Sequence, residues 1–425
     1  MSKRPDVVIT GLGVLSPIGC DIGELVSCLA AGQSAIDLCT PQGLNKKFPA
    51  GVVHRSFADR FTKLELPFLD RCPQMAIIAA RQAITDAGIA DFSGHGQRAG
   101  LYYGTVRGGA ETEQTSYEQL LIEHKNARPF TMMAMMHNAG AAQISIRNQI
   151  LGPVVTHSTA CASSGTAIGE AYRAIRDGYI DIAVAGGAEA PLTPAMFWGF
   201  DATRALAAPD EQDVGRSCRP FSRDRAGLVL GEGAAFIVLE SAEHAQRRGA
   251  ACYASLAGYG VASDGYHIAS PTAEGEAAAI RMALDEAGIE PGAIDYLNAH
   301  ATATRGGDVV EANAIHLAFG DAAGTVPVSS TKSIHGHLLG AASALELLVS
   351  IVAMTESFLP ATAHLTEIDP ACNLNHVAIS PVFDHEIERA MSFSSGFGGT
   401  NVALVISKHR EMPAKRPSIP VCSSN

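Results

Sequence analysis

The chain has 425 residues, 47% of them hydrophobic and 17% charged, with a formal net charge of −12. That length and apolar content support a large core built as two domains or two fused halves. The acidic balance argues against nucleic acid and anionic membrane as general partners.

Nine cysteines show no CxxC pair and no regular spacing, which reads as reduced thiols in a cytoplasmic setting. The start, MSKRPDVVITGLGVL, holds only a short apolar run interrupted by Gly and lacks a signal-peptide cleavage pattern. No later stretch reads as a membrane span.

The β-branched run Val7 to Val14 predicts a buried strand. Gly11 and Gly13 begin a GxGxxG, but position 16 is Ser, so a dinucleotide fingerprint fails. A short helix is expected from Asp21 to Ala31. A longer one runs from Asp70 to Gly88, with Met75, Ile77, Ile78, Ala80 and Ile84 on its apolar face. Leu101 to Gly104 reads as strand and Glu111 to Glu123 as helix. Met132, Met133, Met135 and Met136 read as core or subunit-interface filler.

The stretch from Thr156 to Arg173, THSTACASSGTAIGEAYR, crowds small residues around one thiol, Cys161. It lies between a strand-like run ending at Val155 and a helix-like run from Thr166 to Asp177. A thiol at a helix N-terminus meets free N–H groups and a favourable dipole, so a lowered pKa is expected. An inert buried cysteine is the alternative reading. Ile180 to Ala185 follows as a strand.

Near residue 250 the grammar repeats. YASLAGYGV, residues 253 to 261, echoes VVITGLGV at the start. A helix over 276–288, strands over 294–300 and 326–330, a helix over 338–354 and strands over 381–383 and 402–406 complete the series. The matched order indicates an internal duplication, with halves 1–250 and 251–408. Strands alternating with helices argue an α/β fold. Residues 409–425, polar and proline-bearing, read as a mobile tail.

Three further clusters sit at ends of predicted strands, where sites gather in α/β sheets. They are NAHATAT with His300, STKSIHGH with Lys332 and His337, and SSGFGGTN with Phe397. A thiol, two histidines and a lysine in such places form a candidate covalent-catalysis set.

TACASS, NAHATAT, STKSIHGHLLGAA and GFGGTN occur in this order, with FSRDRAGLVLGEGA and AVAGGAEAP between them. In these motifs the chain resembles the β-ketoacyl-acyl-carrier-protein synthases, nearest the synthase II type, from about residue 6 to 408. The resemblance implies a thiolase-like fold, two duplicated α/β halves layered α-β-α-β-α. It also implies a decarboxylative condensation of an acyl chain held on Cys161 with malonyl carrier protein.

By the same resemblance, His300 and His337 stabilise the enolate, and Lys332 holds the local field and the Glu311 side chain. Thr302 and Thr304 bind the phosphopantetheine arm, and Phe397 gates the thiol. The implied partners are an acyl carrier protein and its acyl and malonyl thioesters. A homodimer is expected, with a heterodimer beside a chain-length-factor-like subunit as the alternative. No metal and no resident cofactor are expected, because the phosphopantetheine arm arrives on the carrier.

Departures from the family pattern bear on specificity. Ser343 replaces a Gly, Ala301 replaces a Gly after His300, and Ser395 stands where Phe is common. Arg107 and Thr131 fall at the inner acyl pocket, where apolar and aromatic residues are usual. A wider, more polar pocket suits an aryl, polyene or oxygenated chain, as in secondary-metabolite or aryl-polyene pathways. Otherwise Arg107 turns away and pairs with Glu111 or Glu113. Two other functions compete: a noncatalytic chain-length scaffold, and a coenzyme-A thiolase. Cys161, His300 and His337 weigh against the first. The absence of a second cysteine over 393–401 weighs against the second. Arg204, Lys125 and Arg128 are the candidate carrier-protein contacts.

Overall fold

The computed structural model describes residues 5–415 and 417. In its first half, strands β1 (Val7–Leu15), β2 (Ala99–Gly104), β3 (Val154–His157), β4 (Ile182–Glu189) and β5 (Gly233–Ser241) lie in the order β3-β2-β4-β5-β1. The second half has β6 (Ala254–Ser263), β7 (Tyr296–Asn298), β8 (Pro327–Ser329), β9 (Asn375–His376), β10 (Arg389–Gly396) and β11 (Thr400–Ser407). Their order is β9-β8-β7-β10-β11-β6. Without the short edge strand β9, the two orders are the same.

The strand directions repeat as well. β2 is parallel to β3 and β4, and β4 is antiparallel to β5. Likewise β7 is parallel to β8 and β10, and β10 is antiparallel to β11. The halves join where Val7–Ile9 of β1 pairs antiparallel with residues 254–256 of β6. The duplication read from element order is thus present in the topology.

Period-two alternation sorts side chains onto two faces of each strand. The helices that cover those faces are α1 (Arg71–Asp86), α2 (Ser163–Arg176), α3 (Ala273–Ala287), α4 (Gly307–Phe319) and α5 (Ala342–Glu356). On β4, Ile182 and Val184 join the cluster around α1, while Ala183 and Ala185 join the cluster around α2 and α5. On β11, Ala403 and Val405 meet α3 and α4, while Val402, Leu404 and Ile406 face α5. Helices therefore lie outside each half-sheet and between them, giving five layers. α5 is apolar on nearly every face because it forms the middle layer. The 18-residue span Leu339–Glu356 is long and apolar enough to cross a membrane, yet is 89% buried inside the protein.

Paired glycines let the outer helices touch the strands. A Cβ at Gly11 or Gly13 of β1 would lie about 2 Å from the Ala83 or Ala79 carbonyl oxygen of α1. The same holds for Gly258 and Gly260 of β6 against Ala283 and Ala279 of α3. These GxG pairs serve helix–strand contact in both halves.

Several expectations are revised. β5, β10 and α4 were not anticipated, and β10 ends at Gly396, inside the SSGFGGTN cluster. Val382–Phe383 pairs with Phe358–Leu359 in a separate two-stranded sheet. Met132 and Met133 are 66% and 57% exposed in the single chain, so they do not fill its core. Residues 409–415 are anchored rather than loose: Met412 is buried, and the Lys415 amide donates to the Cys252 carbonyl at 2.8 Å. The Lys415 ammonium also pairs with the Asp86 carboxylate at 2.9 Å. The rest of the expected tail, 416 and 418–425, lies outside the described residues.

Candidate active site

Cys161 sits on the turn between β3 and α2. Its neighbour Ala160 has φ 50°, a left-handed conformation that costs a non-glycine residue on the order of 1–3 kcal/mol. The helix opens two residues later at Ser163, whose hydroxyl donates to the Ala160 carbonyl at 2.6 Å and accepts the Thr159 amide at 2.9 Å. The Ser343 hydroxyl, one of the departures noted above, donates to the Cys161 carbonyl at 3.2 Å.

His300 follows β7 and His337 precedes α5, so one side chain from the first half meets two from the second. The Cys161 sulfur and one ring nitrogen of each histidine lie within 4.8 Å of one another. The imidazoles meet edge to face, with centroids 5.3 Å apart and planes at 83°. Among the described residues, neither nitrogen of His337, nor Nδ1 of His300, has a hydrogen-bond partner. Such unpartnered buried nitrogens are costly unless a ligand uses them. A cavity of about 840 Å³ adjoins them, walled by Cys161, His300, His337, Thr302, Thr304 and Phe397 among others.

Electrostatics correct one expectation. Burial pushes the Cys161 thiol up to about 12, against the lowering pull of the Lys332 ammonium and the Phe397 amide. The resting nucleophile is therefore a thiol and needs a proton acceptor. Both histidines are held well below the usual imidazole range, first by burial and then by the Lys332 charge. They rest neutral, each with one N–H and one free lone pair.

Lys332 is fully buried, and its ammonium pairs with Glu346 on α5, not with Glu311. Glu311 instead accepts the His300 and Ala301 amides at 2.7 and 2.6 Å, fixing the backbone beneath His300. Burial and the neighbouring Asp308 carboxylate push Glu311 up to about 8. Glu346 was legible as the only carboxylate inside the apolar run 338–354, a signal the sequence reading passed over. His335 is satisfied on both sides, Nδ1 by the Gly336 carbonyl and Nε2 by the Thr331 hydroxyl, and is structural.

Thr302 and Thr304 stand on the cavity wall, their hydroxyls 3.2 Å apart. Phe397 is 49% exposed and stacks on Phe200 with centroids 6.3 Å apart. Arg204 lies on the same wall. Arg107 does not line this cavity. Its guanidinium pairs with Glu113, and its amide donates to buried Glu189 at 2.9 Å. Thr131 lies outside the cavity too, its hydroxyl donating to the Arg128 carbonyl at 2.9 Å. Glu189 was also missed. It accepts the Val106, Arg107 and Gly340 amides, tying the β2 turn to the turn after His337.

Residues 4–245 match the family model described as "Beta-ketoacyl synthase, N-terminal domain", and residues 253–366 match the corresponding C-terminal domain. The chain belongs to the β-ketoacyl synthase family. Among curated β-ketoacyl synthases it is 40% identical to the 3-oxoacyl-[acyl-carrier-protein] synthase 2 of Staphylococcus aureus (strain COL), over 96% of this chain and 99% of that one. It is 38% identical to Nodulation protein E of Rhizobium meliloti (strain 1021), over 96% of this chain and 100% of that one. A solved relative, the ishigamide ketosynthase/chain length factor, superposes with a TM-score of 0.88 at 34% identity, covering 96% and 100% of the two chains.

Proposed function

We propose that this chain is an elongating β-ketoacyl-acyl-carrier-protein synthase, an acyltransferase that lengthens a thioester-bound acyl chain by two carbons. The observation that carries the reading is the Cys161 thiol beside two neutral, unpartnered imidazoles at the wall of an open cavity.

In the first half-reaction the thiol proton passes to a histidine lone pair and sulfur attacks the acyl thioester carbonyl. The developing oxyanion meets the Cys161 and Phe397 amides, and the carrier's phosphopantetheine thiol leaves with the proton. Malonyl carrier protein then binds. Its Cα–carboxyl bond breaks, carbon dioxide departs, and the electron pair becomes an enolate whose oxygen accepts N–H bonds from His300 and His337. The enolate carbon attacks the acyl carbonyl on Cys161, a carbon–carbon bond forms, and the Cys161 thiolate leaves and takes a proton from solvent water. Every atom is accounted for without a resident metal or cofactor.

The same reading assigns the nucleophile to the half before residue 250 and the histidines and lysine to the half after it. A dimer is favoured by the free edge of β3, where Leu151, Val154 and Val155 are 64%, 41% and 37% exposed. Its second subunit is either another copy or, as in the name of the ishigamide relative, a chain length factor. The noncatalytic scaffold reading is disfavoured by the complete set Cys161, His300 and His337. The eight described cysteines are free, in keeping with a cytoplasmic setting. Arg107 and Thr131 support a specialised acyl chain only if the partner subunit turns that face into pocket. An unchanged chain preference in Arg107→Ile would remove this support.

The deciding experiment follows carbon dioxide release from malonyl carrier protein in His300→Ala and His337→Ala. Each variant is expected to lose at least about 10²-fold in condensation, the scale for removing one donor to a developing oxyanion. Condensation at the wild-type rate in either variant would refute the assigned role.

A further inference from the structure

The three groups that meet around Cys161 are also a set of metal ligands. The Cys161 sulfur and one nitrogen of each imidazole lie within 4.8 Å of one another. Among the described residues, no other three histidine, cysteine or carboxylate side chains meet in this way. A thiolate with two imidazoles suits zinc, a borderline-soft ion, whereas magnesium and calcium take oxygen ligands.

The geometry needs little change to close on such an ion. A tetrahedral zinc, with Zn–S about 2.3 Å and Zn–N about 2.0–2.1 Å, holds these atoms about 3.3–3.6 Å apart. The three atoms therefore close by no more than about 1.5 Å, which side-chain rotation supplies. The backbones behind the rings are already held. The His300 amide donates to Glu311 at 2.7 Å, and the His337 amide donates to the Val229 carbonyl at 2.7 Å. His337 is 1% exposed, and among the described residues neither of its nitrogens has a partner, so a lone pair is free without breaking a bond. The Lys332 ammonium, the nearby cation, is paired with Glu346, which lessens its repulsion of a metal. All three ligands wall the cavity of about 840 Å³, which leaves the fourth position to water.

We propose that Zn²⁺ binds reversibly across Cys161, His300 and His337 and blocks the enzyme by occupying its nucleophile. On binding, the S–H bond breaks and the proton passes to solvent. Sulfur and one nitrogen of each ring then donate electron pairs to the metal, and nothing is oxidised or reduced. The coordinated sulfur cannot attack a thioester, and each ring has lost the lone pair that would take the thiol proton. Zinc is thus a competitor of the acyl thioester and not a cofactor. The block of acyl transfer, but not the binding of metal, rests on the reading of Cys161 as acyl acceptor.

The test uses the metal-free full chain and two ions. Co²⁺ reports a tetrahedral sulfur-containing site through visible d–d bands and a near-ultraviolet sulfur-to-metal band. One equivalent of Co²⁺ should produce both bands in the wild type, and Zn²⁺ should abolish them by displacement. Cys161→Ala should lose the sulfur band. His300→Ala and His337→Ala should each raise the metal Kd at least about tenfold, because even outer partners of metal ligands are worth 10–100-fold. Zn²⁺ should also protect Cys161 of the wild type from iodoacetamide, read by peptide mass, and EDTA should restore alkylation. Free zinc at about 100 times its Kd should slow acyl transfer to Cys161 about 10²-fold, since about one molecule in a hundred stays free. A sulfur band that persists in Cys161→Ala, or alkylation of Cys161 at an unchanged rate in zinc, would overturn the proposal. The protection assay needs no variant, so a misfolded one leaves the question decided. Metal binding with acyl transfer undiminished would overturn the block. A wild-type protein that takes no acyl group without metal would instead overturn the function reading, while the cobalt spectrum would still judge the site.

Discussion

At Cys161 two influences oppose each other. Burial raises the thiol, while the Lys332 ammonium and the Phe397 amide lower it, and burial wins. Lys332 therefore matters as a fixed charge, kept in place by Glu346. Lys332→Met leaves Glu346 buried and alone, and breaking one side of such a pair costs about 3–5 kcal/mol. Urea melts should show that loss, with slower Cys161 alkylation in whatever protein still folds. Lys332→Met with Glu346→Leu should recover much of the stability and none of the alkylation rate. The nucleophile and both histidines were legible because each sits in a dense local motif. The partner of Lys332 was not, because it lies 14 residues on, and only the fold of α5 against the turn brings the two together. The thiol's resting state was misread for a related reason: a helix N-terminus is visible in sequence, but the depth of burial is not.

At the scale of elements, the GxG pairs of β1 and β6 make one physical claim twice. A Cβ at Gly260 would sit 1.9 Å from the Ala279 carbonyl oxygen. Helix or strand must shift, at a cost of about 1–3 kcal/mol or more. Gly260→Ala should lower the unfolding free energy read from urea melts by that amount, while Gly94→Ala, with open space around it, should change it by less than about 0.5 kcal/mol. The repeat of strand, helix and GxG was readable from sequence because both halves keep it. β10 was not, because RAMSFSSG lacks a β-branched run. Its strand character comes from being paired on both sides, by β7 and β11. Tertiary context made the strand where local propensity did not.

For the whole molecule, a net charge of −12 would repel an acidic carrier protein unless the cavity mouth is locally basic. Arg204 is exposed on that wall, whereas Lys125 pairs with Glu123 at 2.7 Å. Arg204→Glu should raise KM for carrier-bound substrates more than for small free thioesters. Carrier binding by the wild type should weaken as salt rises. A salt-insensitive affinity would count against an electrostatic dock. The five-layer architecture exists to bring a thiol from one half against two imidazoles from the other, and every step above depends on that meeting. Its most direct test is the intact mass of the protein after incubation with acyl carrier-protein thioesters and no malonyl donor. One acyl mass per chain, mapped to Cys161 and absent in Cys161→Ala, is the expected result. An unchanged mass across a broad acyl panel, or an acyl group that persists in Cys161→Ala, would contradict it.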